Sequence, residues 1–420
     1  MTHQPLQCNL TNREEFKIKV LSWLKQFNIF CFLDNCEYPS PLGFRCFIAA
    51  GSKRRMYPKD FSTLHQQLQP GTWWFGHLNF EFNTKTITSK PEYTGFPGAC
   101  FFEPEILIEL DGNTAIVHSG AEDPEELIHS ILQTEVEADT THTASGFHPV
   151  VTRNEYILQV REVLKHIQRG DCYELNFCQA FRARTIVHPV QLFKQLVHVS
   201  PNPFAALYRI DENWCVCASP ERFLKKEKDV LISEPIKGTA PRGLTPEEDA
   251  AQANTLYHSQ KDRSENVMVV DLVRNDLSRV CVAGSVEVPA LFHIRTFPGV
   301  HQMVSTVSGV LKPGVSTAQI LEATFPMGSM TGAPKHRVLE LTEQYEAQQR
   351  GLFSGTIGYC SPSGDFDLNV VIRSMFLNPE NGTVAFLAGG GITKNSVPEQ
   401  EYEESILKTR AIRKILGLPV

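Results

Sequence analysis

The sequence lacks the features that would place it outside the ordinary globular proteins. Its 420 residues carry a net charge of −7, so there is no excess positive charge to attract nucleic acids or anionic membranes. No stretch approaches the roughly 20 apolar residues that a membrane-spanning helix needs. The first residues lack the apolar core of a secretory signal, and we therefore expect a cytoplasmic protein.

Its cysteines also lack any pattern that indicates a disulfide framework or a metal site. There are 11, an odd number, with no CxxC pair and no zinc-ligand spacing. The common phosphate-binding motifs GxGxxG and GxxxxGK[ST] are absent, and so is the GxCxG segment that would carry a glutaminase cysteine. We expect reduced thiols, several of them buried.

What is present is an irregular succession of helical and strand-like segments. Apolar residues at helical spacing predict helices over 153–168 and 261–280, and two apolar runs on either side of the charged turn 225–229 predict a hairpin. The polar stretch 134–149 predicts a surface linker. We therefore expect an α/β region at 1–148 and a second region at 149–420, built on a large antiparallel or mixed sheet flanked by helices.

Four stretches contain more polar residues and glycines than packing requires. They are a strand end at 233–243, the helix at 261–280, a glycine-rich turn that opens a helix at 325–346, and a strand that runs through three glycines into an acidic helix at 385–416. The three glycines would let backbone N–H groups converge on an anion. Each stretch also has an ordinary interpretation, as a polar turn, a capped helix or a surface array of ion pairs. No single stretch is enough to distinguish a functional site from this ordinary interpretation.

In this order the stretches resemble the chorismate-utilising enzymes, a family that includes anthranilate, aminodeoxychorismate, isochorismate and salicylate synthases. The matching blocks cover about the last two-thirds of the chain. They are YELNFCQAF (173–181), SPERF (219–223), PIKGTAPRG (235–243), SENVMVVDLVRNDLSRV (264–280), HQMVSTVSG (301–309), GSMTGAPK (328–335), LFSGTIGY (352–359), DFDLNVVIRSM (365–375), AGGGI (388–392) and EQEYEESILKTRA (399–411). The resemblance implies an α+β fold, a sandwich of two large antiparallel sheets flanked by helices, which the first 148 residues join.

The resemblance also implies a magnesium ion and chorismate as the substrate. Glu265 and Glu404 are the implied Mg²⁺ ligands, and Glu401 and Asp262 are implied to assist through water. Mg²⁺ commonly combines a few carboxylates with substrate oxygens. The residues implied to contact the substrate are Thr239, Ser329, Phe353, Arg373, Lys408 and the backbone of Gly390 and Gly391.

Four residues carry the implied chemistry. Lys237 is the implied nucleophile, which attacks C2 of chorismate and for which we expect burial to lower the pKa. Glu234 is the implied general acid for the departing C4 hydroxyl, with a pKa that burial and neighbouring acids would raise. His301 is implied to lie near the ring. Glu174 stands where the amino-transferring members often carry glutamine.

Within the family, lysine at position 237 is typical of aminodeoxychorismate synthases, whereas anthranilate synthases usually carry alanine. The resemblance thus implies an aminotransferase-type reaction in which ammonia converts chorismate to 4-amino-4-deoxychorismate, for 4-aminobenzoate and folate synthesis. A separate glutamine amidotransferase, a glutaminase subunit, would supply the ammonia. The alternatives are component I of anthranilate synthase and a non-catalytic chorismate-binding subunit. Isochorismate synthases would instead carry lysine at position 174.

Overall fold

The structure is a computed structural model that describes residues 6–39, 42–83, 89–119, 123–139 and 143–419. The helices in these ranges are α1 (Arg13–Trp23), α2 (Phe61–Gln67), α3 (Pro124–Leu132), α4 (Arg153–Arg169), α5 (Pro189–Val199), α6 (Pro246–His258), α7 (Gln260–Val280), α8 (Thr317–Thr324), α9 (Lys335–Tyr345), α10 (Pro398–Lys408) and α11 (Arg410–Ile415). The strands are β1 (Leu6–Asn9), β2 (Ile29–Asp34), β3 (Cys46–Ala50), β4 (Arg54–Met56), β5 (Trp74–Leu78), β6 (Ala99–Glu103), β7 (Ile106–Asp111), β8 (Thr114–Ser119), β9 (Ser145–Pro149), β10 (Glu174–Arg184), β11 (Phe204–Ile210), β12 (Asn213–Ser219), β13 (Arg222–Glu227), β14 (Val230–Glu234), β15 (Ile236–Pro241), β16 (Glu287–Thr296), β17 (Val300–Val310), β18 (Gly332–Ala333), β19 (Thr356–Cys360), β20 (Phe366–Asn369), β21 (Ser374–Asn378) and β22 (Thr383–Thr393).

These strands form two antiparallel sheets of 12 and 10 strands. The first has the order β1-β8-β7-β3-β2-β11-β12-β21-β22-β10-β18, with β9 also paired to β10. The second has the order β15-β17-β14-β13-β20-β19-β5-β6-β4, with β16 also paired to β17. This is the predicted α+β architecture. Strands from the first 148 residues lie in both sheets.

The predicted linker is partly wrong, because residues 145–149 form β9 and pair with β10. The predicted domain boundary at 148 therefore falls inside a strand of the first sheet. In the described part of the chain, no helix combines the length and the apolar character needed to cross a membrane.

The main core lies between the two sheets, and strand β2 shows how the sequence builds it. Ile29, Cys31 and Leu33 point into the cluster that joins the sheets to α7 and α8. Phe30 and Phe32, which alternate with them, pack on the opposite face beneath α1 and α5. Successive side chains of a strand point to opposite faces, so a continuous apolar run is what a strand buried on both sides requires. All 11 cysteines are free, and most are buried, as predicted.

The two helices predicted from apolar spacing are confirmed, and both begin at a capping side chain. Thr152 and Glu155 form a capping box at the start of α4, and Gly170 ends it with a φ of 84°. At the start of α7 the Ser259 side chain accepts a hydrogen bond from the Asp262 backbone N–H. This cap fixes the first two turns of α7, which carry the acidic residues discussed below.

A fully buried arginine connects the segments that carry several of the candidate site residues. Arg350 Nη2 lies 2.6 Å from Glu346 Oε1. Its guanidinium also donates to the carbonyl oxygens of Met330 and Asn176, each at 2.7 Å. Asn176 follows the first residues of β10, and Met330 belongs to the turn Gly328–Met330. Arg350 therefore holds that turn against β10.

We expect Arg350→Met to lower the free energy of unfolding by about 3–5 kcal/mol, because it leaves the Glu346 carboxylate buried without a cation. Urea unfolding followed by circular dichroism measures the change. The Arg350→Met/Glu346→Gln double variant removes both charges and should recover part of the loss. A single variant as stable as the unmodified chain would show that the ion pair does not hold this region together.

Candidate active site

Lys237 and Glu174 form an ion pair at the centre of the site. Glu174 begins β10, Lys237 lies on β15 at the edge of the other sheet, and Lys237 Nζ is 2.5 Å from Glu174 Oε1. Glu174 is 1% exposed, and its second oxygen is buried without a hydrogen-bond partner. A Cβ atom at Gly391 would lie 2.7 Å from Glu174 Oε1 and 3.1 Å from Lys237 Nζ. Glycine at 391 thus leaves room for the pair.

The surroundings of Lys237 contradict the predicted lowering of its pKa. Burial acts to lower the pKa of Lys237, but the negative charges of Glu174 and Glu265 and the hydrogen bond to Glu174 outweigh it and raise the pKa above its usual value. In the unliganded protein Lys237 is therefore an ammonium group that must lose a proton before it can act as a nucleophile. The adjacent Glu174 carboxylate is placed to accept that proton.

Glu221 is a site residue to which the sequence analysis assigned no role. It lies between β12 and β13, is 4% exposed, and adjoins Ser329, Lys237 and Arg373. Burial raises the pKa of Glu221 to about 7, even though the Ser329 hydroxyl and the Lys237 ammonium oppose the shift. A carboxyl group that holds its proton near neutral pH has the property required of a general acid.

Glu234 does not have the surroundings predicted for a general acid. Its carboxylate oxygens accept hydrogen bonds from Arg222 and Arg295. Arg222 also donates to Asp367, with Nε 2.9 Å from Oδ1. Guanidinium groups thus bind both oxygens of the Glu234 carboxyl group, at positions where the prediction expected neighbouring acids. The structure therefore favours a structural role for Glu234.

Arg373 supplies an uncompensated positive charge close to Glu221. It precedes β21 with a φ of 52°, in the left-handed region that residues other than glycine rarely adopt. Burial lowers the pKa of Arg373 to about 10, although the nearby Glu221 opposes this. Its guanidinium makes no hydrogen bond or ion pair with any other residue that the structure describes. Such a group is suited to bind an anionic ligand.

The four predicted metal ligands lie in two pairs, Asp262 and Glu265 in the first turns of α7 and Glu401 and Glu404 on α10. Burial raises the pKa of Glu265 to about 7 and also raises that of Glu401, whereas Lys408 lowers that of Glu404. Glu265 Oε1 and Glu401 Oε2 are buried without hydrogen-bond partners. Asp262 packs against Gly238, whose Cβ would lie 2.9 Å from its side chain.

Two lysines accompany these carboxylates. Lys408 Nζ lies 2.8 Å from Glu404 Oε1 and donates to the Gly389 carbonyl oxygen at 2.8 Å. Lys261, which the sequence analysis did not single out, lies on α7 with its Nζ 4.0 Å from Glu265 Oε1. The only signal for Lys261 in the sequence was its position one helical turn before Glu265.

The donor set fits a divalent cation in its chemistry. Among the described residues, no three histidine, cysteine, aspartate or glutamate side chains lie close enough together to form a ready-made metal site. However, all four donors are carboxylates, the ligands that Mg²⁺ prefers, and two of their oxygens are buried without a hydrogen bond. Buried carboxylate oxygens without a hydrogen bond are costly unless a cation or a donor compensates them.

The glycine triplet lies in a strand and not in a nest, and contact of the Gly390 and Gly391 backbone with the substrate stays a prediction. Gly389, Gly390 and Gly391 belong to β22 and pair with β10, with Phe177 opposite Gly390. A Cβ at Gly390 would lie 3.2 Å from Glu404 Oε1 and 3.6 Å from Lys408 Nζ. The glycines therefore allow the acidic helix α10 to approach the strand closely.

The remaining three predicted residues, His301, Thr239 and Phe353, make no polar contact with Lys237 or Glu174 among the described residues. His301 has its Nε2 2.9 Å from Asp249 Oδ1 and its Nδ1 3.0 Å from Thr296 Oγ1. The Thr239 side chain is exposed, and Phe353 is buried in the core between the sheets. In the part of the chain described, no hydrogen bond or ion pair joins these side chains to Lys237 or to the acidic helices.

A sequence model of the family described as chorismate binding enzyme matches residues 46–414. The match covers most of the chain, which is therefore a member of the chorismate binding enzyme family. The crystal structure of anthranilate synthase component I from Streptococcus pneumoniae TIGR4 has the same fold. The TM-score is 0.76 at 24% identity, over 90% of this chain and 94% of that one.

Several curated relatives within the family are similar in sequence. The chloroplastic aminodeoxychorismate synthase of Arabidopsis thaliana is 40% identical over 340 residues, which are 75% of this chain and 37% of the relative. Aminodeoxychorismate synthase component 1 of Escherichia coli K12 is 42% identical over 272 residues, 65% of this chain and 60% of the relative. Anthranilate synthase component 1 of Thermus thermophilus is 34% identical over 340 residues, 78% of this chain and 73% of the relative. The chain spans less than two-thirds of the length of the two aminodeoxychorismate synthases.

Proposed function

We propose that the chain converts chorismate and ammonia to 4-amino-4-deoxychorismate and water. The observation that carries this proposal is the Lys237–Glu174 ion pair, which places an amine and a proton acceptor in a site where Glu221 can donate a proton and Arg373 can bind an anion. The two relatives named aminodeoxychorismate synthase support the choice of reaction.

The two carboxylates of chorismate need separate positive partners. We assign one to Arg373, with Ser329 nearby, because this guanidinium has no ion-pair partner in the described protein. We assign the other to Mg²⁺ held by Glu265 and Glu404, with Glu401 and Asp262 in support. When bound, the ion supplies the positive charge that keeps a substrate carboxylate among these acidic side chains.

The covalent step requires a neutral amine and a proton for the leaving group. Glu174 takes a proton from Lys237, whose nitrogen then forms a bond to C2 while the C4 hydroxyl leaves as water with a proton from Glu221. Ammonia next forms a bond to C4, and the bond between C2 and the Lys237 nitrogen breaks. The lysine is thereby regenerated, and the net change exchanges a hydroxyl group for an amino group.

Product analysis tests this proposal directly. The purified chain is incubated with chorismate, Mg²⁺ and ammonium at alkaline pH, and the products are separated and identified by mass and fluorescence. The expected product is a non-fluorescent amino adduct with the mass of 4-amino-4-deoxychorismate. Omission of ammonium is the control and should give no adduct.

Anthranilate synthesis is the second candidate function. The Thermus thermophilus anthranilate synthase component aligns over more of its own length than do the two aminodeoxychorismate synthases. Fluorescent 2-aminobenzoate as the main product would replace our proposal with this one. Binding of chorismate without turnover, even with a glutaminase present, would indicate a non-catalytic subunit.

The source of ammonia in the cell is a further part of the proposal. We propose that a separate glutamine amidotransferase supplies it, since the sequence has no GxCxG segment. Glutamine should then support turnover only when such a subunit is added, whereas ammonium should support it without one. The location of the protein in the cytoplasm and the classification of the reaction as an aminotransfer also remain predictions.

We expect Glu404→Gln to lower Mg²⁺-dependent turnover by about 100-fold or more, the equivalent of roughly 2.7 kcal/mol in the barrier. The amide keeps the shape of the side chain but removes a negative charge from the acidic cluster. Steady-state rates over a range of Mg²⁺ concentrations measure the effect. The matched control is Glu403→Gln on the same helix, because Glu403 is exposed and pairs with Arg153. Equal activity of the two variants would remove Glu404 from the ligand set.

A further inference from the structure

Lys261 lies beside Glu265, one of the four carboxylates assigned to the metal. It is one helical turn before Glu265 on α7, and its Nζ is 4.0 Å from Glu265 Oε1. Asp262, Glu401 and Glu404 are also close enough to interact electrostatically with its ammonium group. The side chain is 61% exposed, so the charge lies at the solvent side of the cluster on a flexible stem.

We propose that the Lys261 ammonium competes with Mg²⁺ for these carboxylates and must move away when the ion binds. The inference rests on the proposed Mg²⁺ site. It adds a cationic side chain that partly neutralises the carboxylates when no metal is bound. Lys261 is accordingly a residue that sets the affinity for the metal, and it takes no part in the reaction.

The contacts of the two lysines explain why Lys261 is the one to move. Lys408 is anchored by its ion pair with Glu404 and by its hydrogen bond to the Gly389 carbonyl oxygen, each at 2.8 Å. Lys261 makes no hydrogen bond within the described ranges, and its ion pair is long. Its ammonium can therefore swing into solvent without breaking a hydrogen bond.

The negative charges of the four carboxylates explain why Lys261 would change the affinity for the metal. Four carboxylates that approach from two helices repel one another unless a cation lies among them. An ammonium group supplies part of that compensation in the absence of metal. The same group repels an arriving divalent ion, so the affinity for the metal is lower than the carboxylates alone would give.

Divalent-cation binding to the full chain, without chorismate, tests the proposal. Mn²⁺ binding is followed by electron paramagnetic resonance and Mg²⁺ binding by isothermal titration calorimetry. We expect Lys261→Met to bind either ion roughly tenfold more tightly than the unmodified chain, which corresponds to about 1.4 kcal/mol. Lys261→Arg keeps the charge and should bind as the unmodified chain does. Lys165→Met, which removes an exposed lysine from α4, should also have no effect.

Thermal unfolding provides a readout that does not depend on the titration. Without divalent ions, Lys261→Met should melt at a lower temperature than the unmodified chain, because the carboxylates are left uncompensated. With saturating Mg²⁺ it should gain more stability than the unmodified chain gains. Should Lys261→Met not fold, Lys261→Gln serves in its place.

The outcomes separate this inference from the function on which it rests. Metal binding by the unmodified chain with equal or weaker binding by Lys261→Met would overturn the competition and leave the proposed Mg²⁺ site intact. Absence of divalent-ion binding in every variant would overturn the proposed metal site itself.

Discussion

Replacing Lys237 with alanine is expected to lower the rate of 4-amino-4-deoxychorismate formation by roughly 1,000-fold or more, as removal of a nucleophile usually does. Without the amine no bond can form at C2, so ammonia cannot be directed to C4 by displacement of a covalent intermediate. We expect the small residual turnover to give 2-aminobenzoate. Chromatographic quantification of both products from the same reaction measures the change.

The variant must be distinguished from one that has simply lost its fold. Glu174 is 1% exposed, and Lys237→Ala leaves its carboxylate without its partner, which for a buried ion pair costs about 3–5 kcal/mol. The Lys237→Ala/Glu174→Gln double variant removes the unpaired charge and should recover stability without recovering activity. Unchanged aminodeoxychorismate formation by a folded Lys237→Ala protein would rule out the covalent role.

The helices and strands that could be predicted from the sequence are those determined by residues close to one another in the chain. Helix α4 follows from its apolar spacing and from the Thr152–Glu155 capping box. The hairpin of β13 and β14 follows from two apolar runs around a charged turn. In both cases the decisive interactions join residues that are close in the chain, so the local pattern contains the information.

The charge states in the site could not be predicted in the same way. The pKa of Lys237 depends on Glu174, which is 63 positions away and reaches it from the other sheet. The contacts of Glu234 with Arg222 and Arg295 likewise join residues on three different strands. Burial alone would have given the opposite direction for the lysine, because the carboxylates that decide its pKa come from distant segments.

The glycine triplet shows how one pattern can serve two structures. Consecutive glycines are compatible with a nest of backbone N–H groups, and equally with a strand that another element must approach closely. Only the pairing of β22 with β10 decides between them. The role of Glu221 could not be predicted either. The SPERF block contains Glu221, but only the folded structure shows that this side chain is buried beside Ser329 and Arg373.

Exchange of Glu221 for glutamine is expected to lower kcat by about 100- to 10,000-fold, the usual contribution of a general acid. The amide preserves shape and burial but cannot give a proton to the C4 hydroxyl. The comparison is Glu234→Gln, which weakens the ion pairs with Arg222 and Arg295. We expect that variant to melt at a lower temperature and to keep most of its kcat while folded.

The pH dependence of the reaction separates the two carboxyl groups further. Because burial raises the pKa of Glu221 to about 7, its proton is present below that pH and is lost as the pH rises through it. With free ammonia held constant and Mg²⁺ saturating, kcat/KM for chorismate should therefore decline above pH 7 through this group. The residual activity of Glu221→Gln should lack that decline, whereas Glu234→Gln should retain it, because its Glu221 is unchanged. The reverse pattern, with the decline lost only in Glu234→Gln, would return the role of general acid to Glu234.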